Sequence, residues 1–389
     1  MPGREGAGPR RATFRSPRGF ALVLAVLAIV LIGAVVTGGY FLSTRQFRVG
    51  KARLRTNSAL YAAEAGLSAA LAGWDVLRAE GLDPGRPEPF MSGRLSTGDG
   101  YQVWLTRLDA GTADPVAYYL LRSMGRARGA YGGRREVDLL LRSQVPEEVC
   151  CETTLLTRGE VTIGASAAVS GRDTVPPAWA DVCPVVGPDR PGVRIDGSLR
   201  ADGSVVGDPP VQDTTLSVDD FFLYGDLDYG SIAQAADLVY EGASTSLAAI
   251  APAVGADGRC ERSVVSNWGA PEDAGHPCFT YFPVIHASGD LRIGRGRGQG
   301  VLEVDGDLII EGDWTFYGAV MVRGRVEVAG GSARVYGGLW VYDEAGVGWT
   351  LGGASRLGYS SCVAGRALRY SELNRAQPLA RRPWMELLN

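Results

Sequence analysis

Two histidines, six cysteines and one tight run of carboxylates are what this 389-residue chain offers for chemistry. Asp305, Asp307, Glu311 and Asp313 fall in one short stretch, and two carboxylates at a suitable separation can act as acid and base on a glycosidic bond. The competing reading is a turn. Asp307 repeats the place of Asp290 in an earlier copy of a repeat, and aspartate at a strand start accepts backbone N–H groups. Asp219, Asp220, Asp226 and Asp228 could gather around calcium, but they lack the spacing and closing glutamate of a calcium loop. A solvated acidic loop is expected there. His276 and His286 are too few for a histidine-based metal site, so structural or solvated roles are expected and no cofactor or metal is assigned. No GxSxG elbow, P-loop or HExxH motif occurs. Trp314, Tyr317, Tyr336, Trp340 and Tyr342 could stack on sugar rings. The preferred reading makes the inward ones core and scatters the rest on the surface. On this account the chain is not an enzyme.

The cysteines are Cys150, Cys151, Cys183, Cys260, Cys278 and Cys362. None forms a CxxC pair, which argues against a zinc ribbon or a thioredoxin-like site. An even number in one region suits disulfides in an oxidising compartment. Cys260 and Cys278 frame a short loop and are expected to pair. Cys150 and Cys151, being adjacent, are expected to seek different partners, which leaves Cys183 and Cys362. Buried free thiols are the alternative. Net charge is only −4, with Lys51 the sole lysine among 39 basic residues. That balance gives no reason to expect a nucleic-acid partner. The 54 glycines follow no collagen-like period and point to tight turns between short strands.

All of these cysteines lie beyond an apolar segment. Residues 20–42 carry no charge over 23 positions. As a helix they span about 34 Å, enough to cross a bilayer. Arginines flank both sides, so charge alone does not orient the segment; the cysteines and the glycine-rich bulk place the C-terminal side outside. A secretory signal would have a shorter apolar region. Here the helical pattern continues: residues 43–78 lack proline, and Leu54, Ala59, Leu60, Ala63, Leu67, Ala70, Leu71 and Trp74 recur at helical spacing. One helix over 20–78 is expected, loosened at Gly38-Gly39.

The basic leader ending in Gly19, Phe20 after it and the long apolar run together resemble the class III-type signal of type IV pilins and pseudopilins. The stretch Asn57 to Leu67, with Ala62-Ala63-Glu64-Ala65-Gly66-Leu67, is similar to an element of the PilX-like N-terminal family. The resemblance covers about residues 15–75. It implies cleavage after Gly19 by a prepilin peptidase, methylation of Phe20, and pilus or pseudopilus assembly components as partners. One position departs from the pattern. Major pilins carry glutamate at the fifth mature position, where this chain has Leu24; Glu64 is too distant to substitute. That departure suits a filament tip, or a protein that stays anchored in the envelope.

Residues 79–95 read as a Gly/Pro-rich connection. Strands are expected at Tyr101–Leu108, Ala117–Ser123 and Arg135–Arg142, forming an antiparallel meander on the end of the helix. The C-terminal half repeats. Gly289-Asp-Leu-Arg-Ile, Gly306-Asp-Leu-Ile-Ile and Gly324-Arg-Val-Glu-Val start 17 and 18 residues apart. Gly300-Val-Leu-Glu-Val, Gly318-Ala-Val-Met-Val and Gly338-Leu-Trp-Val interleave with them. Trp314-Thr-Phe, Ala333-Arg-Val and Trp349-Thr-Leu form a third series. Three short strands per coil predict a parallel β-helix, with antiparallel hairpins as the alternative. Leu155–Ile163 and Ala167–Gly171 carry the same pattern earlier.

The expected fold is an α+β pilin-like module, a long membrane helix plus a small antiparallel sheet, followed by an all-β solenoid with an irregular insert. The divisions are leader 1–19, helix 20–78, meander 96–145, repeats 153–204 and 285–365, insert 205–284 (with a helical stretch from Ile232 to Tyr240) and C-terminal tail 366–389. The expected role is a membrane-anchored, single-pass protein of the pilus or cell surface, held through residues 20–42. Its head would serve assembly or adhesion, with surface carbohydrate as a candidate ligand. The alternatives are an envelope protein outside any filament and a β-helix enzyme acting on polysaccharide.

Overall fold

A computed structural model describes residues 20–108, 116–129, 133–144, 152–183, 187–224, 227–374, 376–379 and 384–387. The absence of proline carries helix α1 from Phe20 to Ala72, uninterrupted at Gly38-Gly39. It ends short of the expected residue 78. Gly73 and Trp74 break the pattern, and Asp75 accepts from the Arg78 amide at 3.2 Å to restart a five-residue helix α2, Val76–Glu80.

The far half of α1 lies on an antiparallel sheet of β1 (Glu88–Arg94), β2 (Gly100–Arg107), β3 (Val116–Arg126) and β4 (Arg134–Gln144), paired in that order. Small residues let the helix approach. Ala59, Ala62, Ala63 and Ala70 are fully buried, and Gly125 on β3 leaves no gap: a Cβ there would fall 1.9 Å from the Ala59 carbonyl oxygen. Strand β1 lies in the stretch expected to be only a connection. Pro87 just before it and Pro89 within it hid it, yet a proline-bearing strand is tolerated at a sheet edge, with a register shift between Pro89 and Met91. The C-terminal residues expected as a tail also return to this sheet. Gln377–Pro378 and Trp384–Leu387 pair antiparallel with β4. Everything between β4 and Gln377 is therefore inserted into one small sheet.

The inserted head is a large, mostly parallel, nearly closed sheet of 16 strands. Its registers follow the sequence repeat: Val284 pairs with Val301, Gly300 with Gly318, and Trp314 with Ala333. Gly318 faces Gly337 rather than Gly338, a slip of one residue from the expected alignment. Gly300, Gly318 and Gly337 have φ of +113°, +147° and +131°, and a Cβ at Gly318 would meet the Gly300 carbonyl oxygen at 1.8 Å. Each glycine thus fills a bend where the previous layer's backbone leaves no room for a side chain. Trp349–Leu351 joins the column of Val326–Val328, not that of Ala333–Val335. Arg356–Gly358 takes the latter place.

Stacking order departs from chain order. The first strand of the head, β5 (Leu155–Ile163), pairs on one side with Leu339–Val341 and Trp349–Leu351 and on the other with Val193–Ala201. It lies in the middle of the stack. Part of the expected insert is also sheet: Leu238–Tyr240 and Ser244–Leu247 pair parallel with Val284–Ala287 and Asp290–Ile293. The helical stretch expected from Ile232 to Tyr240 is instead a short helix at Tyr229–Gln234 followed by that strand. Inward residues such as Leu155, Leu302, Val320 and Leu339 form the enclosed core.

Candidate functional site

Two regions concentrate features that folding alone does not require. The first is the near half of α1. Every large apolar residue from Leu22 to Leu42 is 50% exposed or more, and the apolar window has no part buried. Leaving such a surface in water is unfavourable by about 25 cal/mol per Å², so this half is built for an apolar surround. Arg45, Arg48, Lys51, Arg53 and Arg55 follow the apolar run on the same helix. Phe20 begins the helix, while Gly19 lies outside the described residues.

The second is a covered face of the head. Leu156, Val284, Val301, Ala319, Met321 and Trp340 point away from the enclosed core yet are buried. They are covered by the turn at Trp179, the short helices α3 (Asp219–Phe222) and α4 (Tyr229–Gln234), and α5 (Ser361–Arg369). A disulfide between Cys183 and Cys362, Cα atoms 5.9 Å apart, ties the Trp179 turn to α5. The expectation that these two cysteines serve Cys150 and Cys151 is corrected: they bond each other. Cys150 and Cys151 lie outside the described residues. Cys260 and Cys278 are bonded, Cα atoms 4.8 Å apart, and His276 accepts from the Cys278 amide within that loop at 3.0 Å.

Under this cover lies a cluster that joins His286 and Asp305, both noted in the sequence, to Glu303, which the sequence reading did not single out. Glu303 is fully buried, and its Oε2 is 3.0 Å from His286 Nδ1. His286 Nε2 is 3.8 Å from Asp305 Oδ2. Glu303 Oε1 has no hydrogen-bond partner among the described residues. Burial, with the charge of Asp305 adding to it and Arg323 opposing, pushes the Glu303 carboxyl up to about 9. At neutral pH it therefore keeps its proton, and a protonated carboxyl at that distance from Nδ1 can donate to it. A signal was present: the register aligns His286, Glu303, Met321, Trp340 and Leu156 in one column. A glutamate among such neighbours must be covered.

The carboxylates flagged in the sequence bind the fold together. Asp290 Oδ1 accepts from the Asp307 amide at 3.0 Å, and Asp307 Oδ1 from the Arg325 amide at 2.8 Å. Each aspartate holds the next layer, the turn role that the repeat suggested. Glu311 faces Arg292 at 3.5 Å, and Asp313 accepts from the Ser332 hydroxyl at 2.7 Å. Asp220 accepts from the Ser217 amide, and Asp228 caps α4 through the Ser231 amide, each at 2.7 Å. Asp219 opens α3, and Asp226 lies outside the described residues. Among the described residues no three His, Cys, Asp or Glu side chains are grouped to hold a metal. Trp314 is buried and stacked on Phe316, and Tyr317 is buried between Trp179 and Tyr336. Trp340 is also buried, and Tyr342 packs on Phe221 and Phe222.

No family model matches the chain, and no curated protein matches it. Among solved structures it is similar to the competence-associated pilin ComZ from Thermus thermophilus, at 12% identity over 86% of this chain and 97% of that one, with a TM-score of 0.24. A likeness at that level carries no inference about fold or function.

Proposed function

We propose that the large parallel sheet winds as a parallel β-helix and that the chain is a membrane-anchored, surface-directed structural protein. In this reading it is a minor pilin or pseudopilin-like component of a type IV pilus-related assembly. Its head serves assembly or adhesion rather than catalysis. The observation that carries the reading is helix α1. One unbroken helix of 53 residues has a bare apolar near half and a far half buried against β2, β3 and β4. A cleaved secretory signal has no need to continue into the core of a folded domain. A helix so divided can stand in a bilayer and later pack its apolar half against neighbouring subunits. The leader through Gly19 then lies on the cytoplasmic side and the head outside, where its disulfides persist.

The test is mass spectrometry of the mature N-terminus from native membranes. A chain beginning at Phe20 and N-methylated is expected. An intact leader, or cleavage beyond Leu42, overturns the processed-pilin reading. Leu24 favours a second reading, an anchored envelope protein that stays out of filaments. Lacking an acidic group to meet a neighbour's terminal amine, a repeating subunit would bury that charge unpaired at a cost of several kcal/mol. Shearing cells and probing the released filaments separates the two: the chain in the filament fraction supports the pilin reading, and its retention in the membrane supports the envelope one.

A further inference from the structure

We propose that the head carries a binding groove for an anionic glycan, a chain of uronic acid or sulfated sugar units. The proposal builds on the reading of the head as a displayed surface and names what it meets there. A groove of about 490 Å³ opens on the uncovered outer face of the parallel sheet. Arg295, Arg297 and Arg334 line it together with Asp313, Thr315 and Ser332, and residues 249–251 form one wall. The positions are set by the register. Arg297, Thr315, Arg334 and Arg356 pair in sequence across adjacent parallel strands, so their side chains form one outward column.

All three groove arginines are exposed. Arg297 meets Glu272 at 2.8 Å. Arg295 and Arg334 have no ion-pair partner among the described residues. The backbone beneath Arg295 is pinned, since its carbonyl accepts from the Ile250 amide at 2.9 Å. Free guanidinium groups on a fixed backbone suit carboxylate or sulfate, which they can grip with two parallel N–H donors.

Neighbouring strands stand about 4.8 Å apart, so Arg297 and Arg334, two strands apart, are separated by roughly 10 Å along the stack. That is the length of about two sugar units, so alternate acidic groups on an extended glycan would meet successive arginines. The remaining lining suits sugar hydroxyls: Thr315 can donate and accept, and Asp313, which takes the Ser332 hydroxyl on one carboxylate oxygen, can accept on the other. One feature disfavours single-stranded nucleic acid: no aromatic ring lines the groove to provide the stacking platform on which single strands are held.

The full-length chain, purified in detergent micelles, is titrated with a galacturonic acid hexamer, its carboxyl-reduced neutral counterpart, and a short DNA duplex. Saturable binding of the acidic hexamer is expected, weakened about tenfold or more in Arg295→Ala/Arg334→Ala through loss of two charge-assisted donors. The neutral hexamer should bind correspondingly less. Arg334→Lys, which keeps the charge and loses the fork, should fall between. Arg86→Ala, in the segment ahead of β1 and paired with Asp83, should bind as wild type, and thermal unfolding checks that each variant is folded. The proposal is overturned if the hexamer does not saturate, if the arginine variants bind it unchanged, or if the duplex binds as tightly through the same arginines. None of these outcomes depends on processing at Gly19, so the groove and the pilin reading fail separately.

Discussion

Glu303 is a carboxyl group made to keep its proton. Its ordinary pKa is 4.5 and the fold raises it to about 9. Below pH 4.5 the folded and unfolded chains both hold the proton, and this group's contribution to stability is fully present. As pH rises toward 9 the unfolded chain releases the proton while the folded one retains it, so stability falls. The slope over that window approaches about 1.4 kcal/mol per pH unit. His286, Asp305, Arg323 and Asp228 are the charged or titratable groups that face it. Glu303→Gln preserves shape and hydrogen bonding without the titration. Unfolding midpoints measured from pH 5 to 9 should decline in the wild type and flatten in the variant. A parallel decline in both would show that Glu303 is not the group responsible. Sequence reading missed it because Glu303 alternates like any outward strand residue. Only the alignment with Met321 and Trp340 reveals that outward does not mean exposed here.

The elements were legible to different degrees, and physical reasons separate them. Helix α1 announces itself through a long run free of charge and proline. The glycine-led strands between Gly289 and Val341 announce themselves because every bend meets the same steric demand. Leu238–Tyr240 and Ser244–Leu247 lack the leading glycine, and β1 carries a proline with another just before it, so local chemistry concealed all three. At the contact between α1 and β3 the fit is set by a missing side chain. Gly125→Ala would place a methyl group 2.5 Å from the Ala63 amide nitrogen as well as against Ala59. It should cost about 3 kcal/mol, at the upper end of overpacking. Urea unfolding followed by circular dichroism would measure it, and a variant as stable as wild type would mean that the helix lies farther from the sheet.

At the scale of the whole molecule, one covalent tie closes most of the head. Cys183 and Cys362 are 179 residues apart in sequence. Cross-linking a loop of that length restricts the unfolded chain, and its removal should cost about 5 kcal/mol. Denaturation of Cys183→Ser/Cys362→Ser against wild type checks this. The pairing could not be read from spacing, because nothing local distinguishes Cys362 as a partner for Cys183 from the other choices. Stacking order was hidden for a similar reason. A repeat says which strands are alike, not which of them lie side by side. Return of the C-terminal strands to β4 is likewise a contact between distant segments with no local signature. The groove arginines were visible as residues, but their convergence depends on a register that brings Arg297 beside Thr315 and Thr315 beside Arg334.

The position of β5 in mid-stack has a mechanical consequence. The chain enters the head through β5 and leaves from the adjoining layer that ends at Gly358, and both paths lead back to β4. A pull applied to the head while the small sheet is held fast therefore reaches it at neighbouring strands in its interior. Tension there must shear several parallel strand pairs together instead of peeling one terminal strand at a time.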